Sequence, residues 1–152
     1  MAIETVRTRL TPKLIDSLYV EAMLLADEAR SYFDANGRNE RLSLEPIVRV
    51  GFSCESLKVT TRLMHVIAWL LTQRAVEAGE ISSVQARAPT RRLGDAVESD
   101  PELLAKLPES AVRLVDASRE LYARVRRLDE GGVVEAQPSP ARSLMSRLER
   151  SL

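Results

Sequence analysis

Residues that could do chemistry are scarce in this chain, which has one histidine, His65, and one cysteine, Cys54. Zinc sites usually need about three or four protein ligands, so a His/Cys metal site has too few residues here. On one helix the two residues would stand about 16 Å apart, too far for a nucleophile and its base. Phosphate-loop, dinucleotide-binding and serine-hydrolase motifs are missing. We therefore expect a non-enzymatic protein with no cofactor and no metal.

Both residues have a plain interpretation and a functional alternative. Cys54 is interpreted as a small residue in the first turn of a helix, with a redox role at that helix end as the alternative. His65 is interpreted as a partly exposed residue on a polar face, with pH sensing or an interface role as the alternative.

The composition favours a helical domain. Of 152 residues, 45% are apolar, 29% are charged and only 4% are aromatic, which suits helices that pack through aliphatic side chains. Lys and Arg total 22 and Asp and Glu total 22, so no global field attracts nucleic acid or membrane. The apolar run RLMHVIAWLL is about ten residues long, against roughly 20 for a membrane span. With one cysteine and no signal-peptide pattern, we expect a cytoplasmic protein.

Helix boundaries can be predicted from capping residues. Thr11 and Pro12 begin helix one over 12–35, and Asn36-Gly37 ends it. In residues 37–52 the stretch IVRVGF alternates like a strand, but Pro46 and Gly51 interrupt it, so we predict an irregular crossing that lays Ile47, Val48 and Val50 over one end of the core. Ser53 is predicted as the N-cap of helix two, which ends at Ala78 before Gly79.

A long loop over 79–100 should follow helix two. Asp100 caps a short piece over 101–106, and helix three runs over 108–129 and ends at Gly131-Gly132. The fold class is therefore all-α, an antiparallel three-helix bundle in one domain over 1–130. A flexible linker over 131–140 leads to a short amphipathic segment over 141–152, which either docks on the bundle or folds on a partner. Its candidate docking residues are Leu144, Met145, Leu148 and Leu152.

Trp69 stands out on helix two. A helical wheel places the predicted core arc on one side and Trp69 at the centre of the polar side, one turn from His65. The arc comprises Leu57, Thr60, Leu63, Met64, Val66, Ile67, Leu70, Leu71 and Ala75. A tryptophan among polar neighbours is typical of an interface, although the 37–52 crossing or the long loop could instead cover it. The candidate interface residues are Val20, Leu24, Arg62, His65, Trp69, Gln73 and Val76.

Three arginines in the long loop, Arg87, Arg91 and Arg92, form a candidate partner-docking loop. Acidic residues accompany them, so local pairing or solvation is the favoured interpretation. Helix three is also rich in arginine, but acids largely balance it and no aromatic residues interleave. Nucleic-acid binding is therefore the least favoured binding function.

The segment SCESLKVTTRLMHVIAWLLTQRAVEAGEI, residues 53–81, and the earlier pattern T-P followed by LxxSLYxEAMxLADEARxYF resemble the RcdA family, regulators of CtrA degradation in bacteria. The resemblance covers about 10–130. It implies a three-helix bundle, usually a homodimer, that acts without catalysis as an adaptor. The implied role is to help deliver cell-cycle regulators to the ClpXP protease together with a response-regulator adaptor and a cyclic-di-GMP effector. A scaffolding dimer unrelated to proteolysis is the alternative.

Overall fold

The computed structural model describes residues 11–133, which form helices and no strand. In chain order the α-helices are α1 (Pro12–Ser31), α2 (Arg38–Leu42), α3 (Pro46–Glu77), α4 (Ser83–Ala86), α5 (Pro101–Leu104) and α6 (Glu109–Val133). The long helices α1, α3 and α6 each contact the other two. None of the helices formed by the described residues is both long enough and apolar enough to cross a membrane.

Helix α1 confirms its predicted start and end. The Oγ1 atom of Thr11 accepts a hydrogen bond from the Leu14 amide at 3.2 Å, and Pro12 occupies the first turn, where its missing N–H costs nothing. After Ser31 the helix continues as a π-helical turn over Tyr32–Asn36, and this turn ends at Gly37.

Helix α3 begins at Pro46, so the predicted crossing over 37–52 and the predicted N-cap at Ser53 are wrong. Pro46 fills the first turn of the helix, as Pro12 does in α1. Val48 and Phe52 are buried four positions apart, which is a helical spacing that the alternation in IVRVGF concealed. Ile47 and Val50, which were expected to cover the core, are 75% and 59% exposed.

The end of α3 agrees with the prediction. The helix stops at Glu77 with Ala78 as its cap, and Gly79 has a φ of +77°, a left-handed conformation that suits glycine.

Helices α3 and α6 run parallel, so the predicted antiparallel arrangement is wrong for this pair. Arg62 bonds to Ser118, and Trp69, further along α3, bonds to Asp129, further along α6. The sequence suggested antiparallel packing because the three predicted helices have similar lengths, as an antiparallel bundle requires. The long connection between α3 and α6 is what allows these two helices to run parallel.

Helix α1 is antiparallel to both of them. Near its start Asp16 pairs with Arg74 of α3 at 2.9 Å, and near its end Phe33 packs edge-on against Phe52 at 5.2 Å between ring centroids. Tyr32 joins this aromatic cluster at 5.1 Å from Phe33 and 6.0 Å from Phe52.

The connection between α3 and α6 must therefore return along the whole bundle. It contains α4, a 3-10 turn at Pro89–Arg91, and α5, whose predicted cap Asp100 accepts a hydrogen bond from the Glu102 amide at 3.0 Å. Helix α6 then begins at Glu109 and continues to Val133, so Gly131 does not end it as predicted.

The core lies between the three long helices. Ile15, Leu18 and Ala22 of α1 are buried, as are Val59, Val66 and Leu70 of α3 and Ala111, Leu114, Val115, Leu121 and Val125 of α6. Tyr122 of α6 is also buried, and Leu128 packs partly against the core. The predicted core arc of α3 holds only in part, because Leu57, Met64 and Leu71 are exposed.

Candidate functional site

The face of α3 that carries Trp69 is covered by the same chain. Trp69 is 3% exposed and Arg62 is 2% exposed, so the prediction that both lie on an outward interface is wrong, and the alternative that the long loop covers Trp69 is correct. The returning connection lies over this face, with Gly94 against His65, where a Cβ would come within 2.8 Å of the imidazole Cε1. The prediction failed because wheel geometry cannot show that a loop without helical periodicity covers a helix.

One carboxylate holds the connection in place. Oδ1 of Asp129 accepts the indole N–H of Trp69 at 2.9 Å and the Nε–H of Arg92 at 2.8 Å, and Oδ2 accepts the Leu93 amide at 3.3 Å. Nearby, the phenol of Tyr122 donates to the Gly94 carbonyl at 2.6 Å. Arg92 of the predicted docking loop therefore has a structural role.

A buried polar network continues along the same face. Arg62 donates to Oγ of Ser99 at 2.8 Å, to the Val97 carbonyl at 3.0 Å and to Oγ of Ser118 at 3.2 Å. Oγ of Ser99 in turn donates to the fully buried carboxylate of Glu55. Burial lowers the pKa of Arg62, while the charge of Glu55 opposes that shift. These bonds satisfy the charges and fix the connection against α3 and α6.

Three of the five arginines of α6 are paired with acids. Arg119 lies 3.6 Å from both Glu98 and Asp116, and Arg126 pairs with Glu130 at 3.2 Å. Arg124 pairs with Glu120 at 2.7 Å and with Glu21. This pairing weakens the case for a nucleic-acid site on α6. Arg87 and Arg91 are exposed, and their role in docking a partner stays a prediction.

The side of α3 that faces away from the core carries an exposed, uncharged strip, which we call the outer face of α3. It comprises Ile47, Val50, Cys54, Leu57, Thr61, Met64, Ala68 and Leu71, all exposed. Their alternating three- and four-residue spacing is that of a coiled-coil seam, and from first to last they extend about 36 Å. Leu57 is 68% exposed, Met64 63% and Leu71 46%. Long apolar strips of this kind mark interaction surfaces.

Sequence reasoning missed this strip, although the signal was present. The heptad spacing begins at Ile47, within the part of α3 that the sequence predicts to be irregular. The predicted helix therefore contains only part of the repeat. In addition, Leu57, Met64 and Leu71 were assigned to the core because no charged residue of α3 lies among them.

A groove of about 480 Å³ adjoins the outer face, between α1 and α3. Apolar residues from both helices line it: Met23, Phe33, Val59, Leu63, Met64 and Ile67. Asp27, Arg30 and Asp34 of the α1 side also line it, and Arg30 bonds to Asp27 at 3.0 Å.

The other predicted site residues are scattered. Val20 and Leu24 are 55% and 67% exposed on α1, while Gln73 and Val76 of α3 are half-buried. Cys54 lies exposed on the outer face of α3, and His65 is half-buried under Gly94. The predicted linker beyond Val133 and the docking residues Leu144, Met145, Leu148 and Leu152 lie outside the described residues. Within residues 11–133, no group of His, Cys, Asp and Glu could hold a metal ion.

Comparison with known proteins finds a family model and a solved structure that resemble this chain. A family model described as a protein of unknown function (DUF1465) matches residues 6–152. The crystal structure of RcdA from Caulobacter crescentus CB15 is similar with a TM-score of 0.62 and 39% sequence identity, covering 76% of this chain and 88% of that chain. No curated protein matches the sequence significantly. The resemblance noted from residues 53–81 is confirmed, and the chain belongs to the RcdA (DUF1465) family.

Proposed function

We propose that this protein is a non-enzymatic adaptor that helps deliver cell-cycle regulators to the ClpXP protease in the cytoplasm. The observation that carries the proposal is the 39% identity to RcdA over most of both chains, since the family resemblance implies this role. The arrangement of the described residues fits a protein that works by contact. Its polar groups hold the fold together, and an exposed uncharged strip faces outward on α3.

Reconstituted proteolysis tests the proposal. Cargo degradation by ClpXP with the response-regulator adaptor should accelerate severalfold when this protein is added, and cargo should persist in cells that lack it. Equal degradation rates with and without the protein, both in the reconstituted system and in cells, would refute the proteolytic role. They would leave the alternative of a scaffolding dimer, which requires self-association but no protease.

We further propose that the protein is a homodimer whose subunits meet through the outer face of α3. A heptad seam needs a second helix with the same spacing, and an identical subunit supplies one. The absence of charge along Ile47, Leu57, Met64 and Leu71 means that pairing two copies buries no unpaired ion. The same surface meets itself, as twofold symmetry requires. This location replaces the Trp69 face, which the chain itself covers.

A further inference from the structure

We propose that residues 141–152 of this same chain dock as an amphipathic helix in the groove between α1 and α3. The proposal concerns a contact within one subunit and does not depend on the adaptor function.

Size and pattern match the groove. On α3 the groove extends from Ser56 to Ile67, about 17 Å along the helix axis, and twelve helical residues are about 18 Å long. In ARSLMSRLERSL the apolar residues Leu144, Met145, Leu148 and Leu152 fall on one face of a helix. Such a face fits the groove, which has Met23 and Phe33 on one side and Met64 and Ile67 of α3 on the other.

Charge also matches. The segment contains Arg142, Arg147 and Arg150 against one acid, Glu149. Two carboxylates line the groove on the α1 side, and Asp34 has no ion pair with any residue from 11 to 133. An arginine of the docked segment would therefore lie next to this exposed carboxylate. Such an ion pair contributes little free energy, but it would favour one orientation of the segment in the groove.

The chain can reach the groove. Helix α6 ends at Val133, near the last turns of α3. Four residues before Val133, Asp129 accepts a hydrogen bond from Trp69 of α3. Ile67 lies about 15 Å before the end of α3. Residues 134–140 can extend to about 23–25 Å, enough to cover that distance and one helix spacing of about 10 Å. A short tether also keeps the local concentration in the millimolar range, so a weak contact suffices.

Methionine methyl NMR on the full chain tests the proposal. Three of the four methionines are placed to report on it: Met23 and Met64 in the groove and Met145 in the segment. Ending the chain after Pro140 should shift the Met23 and Met64 signals, and the full chain should show a Met145–Met23 nuclear Overhauser effect. Met23 is decisive because Met64 also belongs to the outer face of α3. An unchanged Met23 signal, or the absence of the Overhauser effect, would overturn the proposal.

A matched pair of variants separates docking from a general effect of charge. Leu148→Asp places a carboxylate on the apolar face and should reproduce the truncated spectrum, whereas Ser146→Asp places it on the opposite face and should leave the spectrum of the full chain unchanged. Equal effects of the two variants would contradict docking through this face.

Isotope dilution identifies the occupant. In a mixture of labelled protein with excess unlabelled protein, an Overhauser effect of full intensity per labelled chain supports docking within one chain. An effect that disappears on dilution would show that the segment docks on a second copy and would overturn the proposal as stated.

Discussion

The indole N–H of Trp69 donates to Oδ1 of Asp129 at 2.9 Å, joining the C-terminal third of α3 to the end of α6 across sixty positions of sequence. The same carboxylate binds Arg92 and the Leu93 amide of the returning connection. A single side chain on α6 therefore satisfies the buried indole and fixes the connection over it.

Asp129→Ala should destabilise the fold by about 2–3 kcal/mol, because it leaves a buried indole N–H and a half-buried guanidinium without their acceptor. Urea denaturation should show a lower midpoint with a similar slope, and acrylamide should quench the fluorescence of Trp69 more strongly. Asp116→Ala removes an exposed carboxylate of the same helix and should change stability by no more than about 0.5 kcal/mol. Equal stability of the two variants would contradict the role of Asp129.

Leu57→Glu and Met64→Glu should each convert the homodimer to a monomer, because they place charges in the centre of the uncharged strip. Light scattering after size exclusion measures the mass. Val84→Glu is the matched control, since Val84 is 77% exposed but lies on α4, outside the outer face of α3. A monomeric unaltered protein, or dimers of unchanged affinity in both α3 variants, would rule out this interface.

Arg62→Ala should cost about 2–3 kcal/mol, because it removes three buried hydrogen bonds and a favourable charge near the buried carboxylate of Glu55, which keeps its ion pair with Lys58 at 2.9 Å. The double variant Glu55→Gln with Arg62→Met should be less destabilised than Arg62→Ala alone, since it leaves no buried charge. Arg113→Ala, an exposed arginine of α6, serves as the control for loss of a cation. A more severe loss in the double variant would show that the charges themselves stabilise the fold.

Stability should fall at alkaline pH because of Tyr32. Burial, and then the neighbouring carboxylate of Glu40, raise its pKa to about 12. The folded state therefore holds the phenolic proton more tightly than the unfolded state, whose pKa is about 10. This stabilisation is complete below pH about 10 and is lost as pH rises toward about 12, a decrease of roughly 2–3 kcal/mol.

Urea denaturation at a series of pH values checks this dependence. Tyr32→Phe should remove this part of the decrease, and Glu40→Gln should reduce it without removing it, because burial is the larger cause. The same alkaline decrease in the Tyr32→Phe protein would assign it to other groups.

Capping chemistry predicted some helix ends because it is local, although Ser53 and Gly131 are not helix ends in the structure. Thr11 with Pro12, and Asp100 ahead of α5, can be recognised from a few residues. Pro46 carries the same first-turn signal, but the alternation that follows it suggests a strand and conceals the start of α3. The alternation is real, but Val48 and Phe52 obey the helical period.

The coverage of α3 could not be predicted because it depends on contacts between distant residues. Arg62 looks like a surface residue until Ser99 and Ser118 meet it from elsewhere in the chain. Trp69 likewise needs Asp129 before its burial makes sense. Conversely, Leu57 and Met64 look like core residues, because the sequence alone cannot distinguish a buried apolar stripe from an exposed one that a second subunit could cover.

Because α3 and α6 run parallel, both helices finish at the same end of the bundle, which we call the pole. Because α1 begins where α3 and α6 end, the first and last described residues emerge from the same end of the bundle. Labels placed at Thr11 and near the end of α6 would therefore lie close together at this pole, at the opposite end of the bundle from the Tyr32, Phe33 and Phe52 cluster.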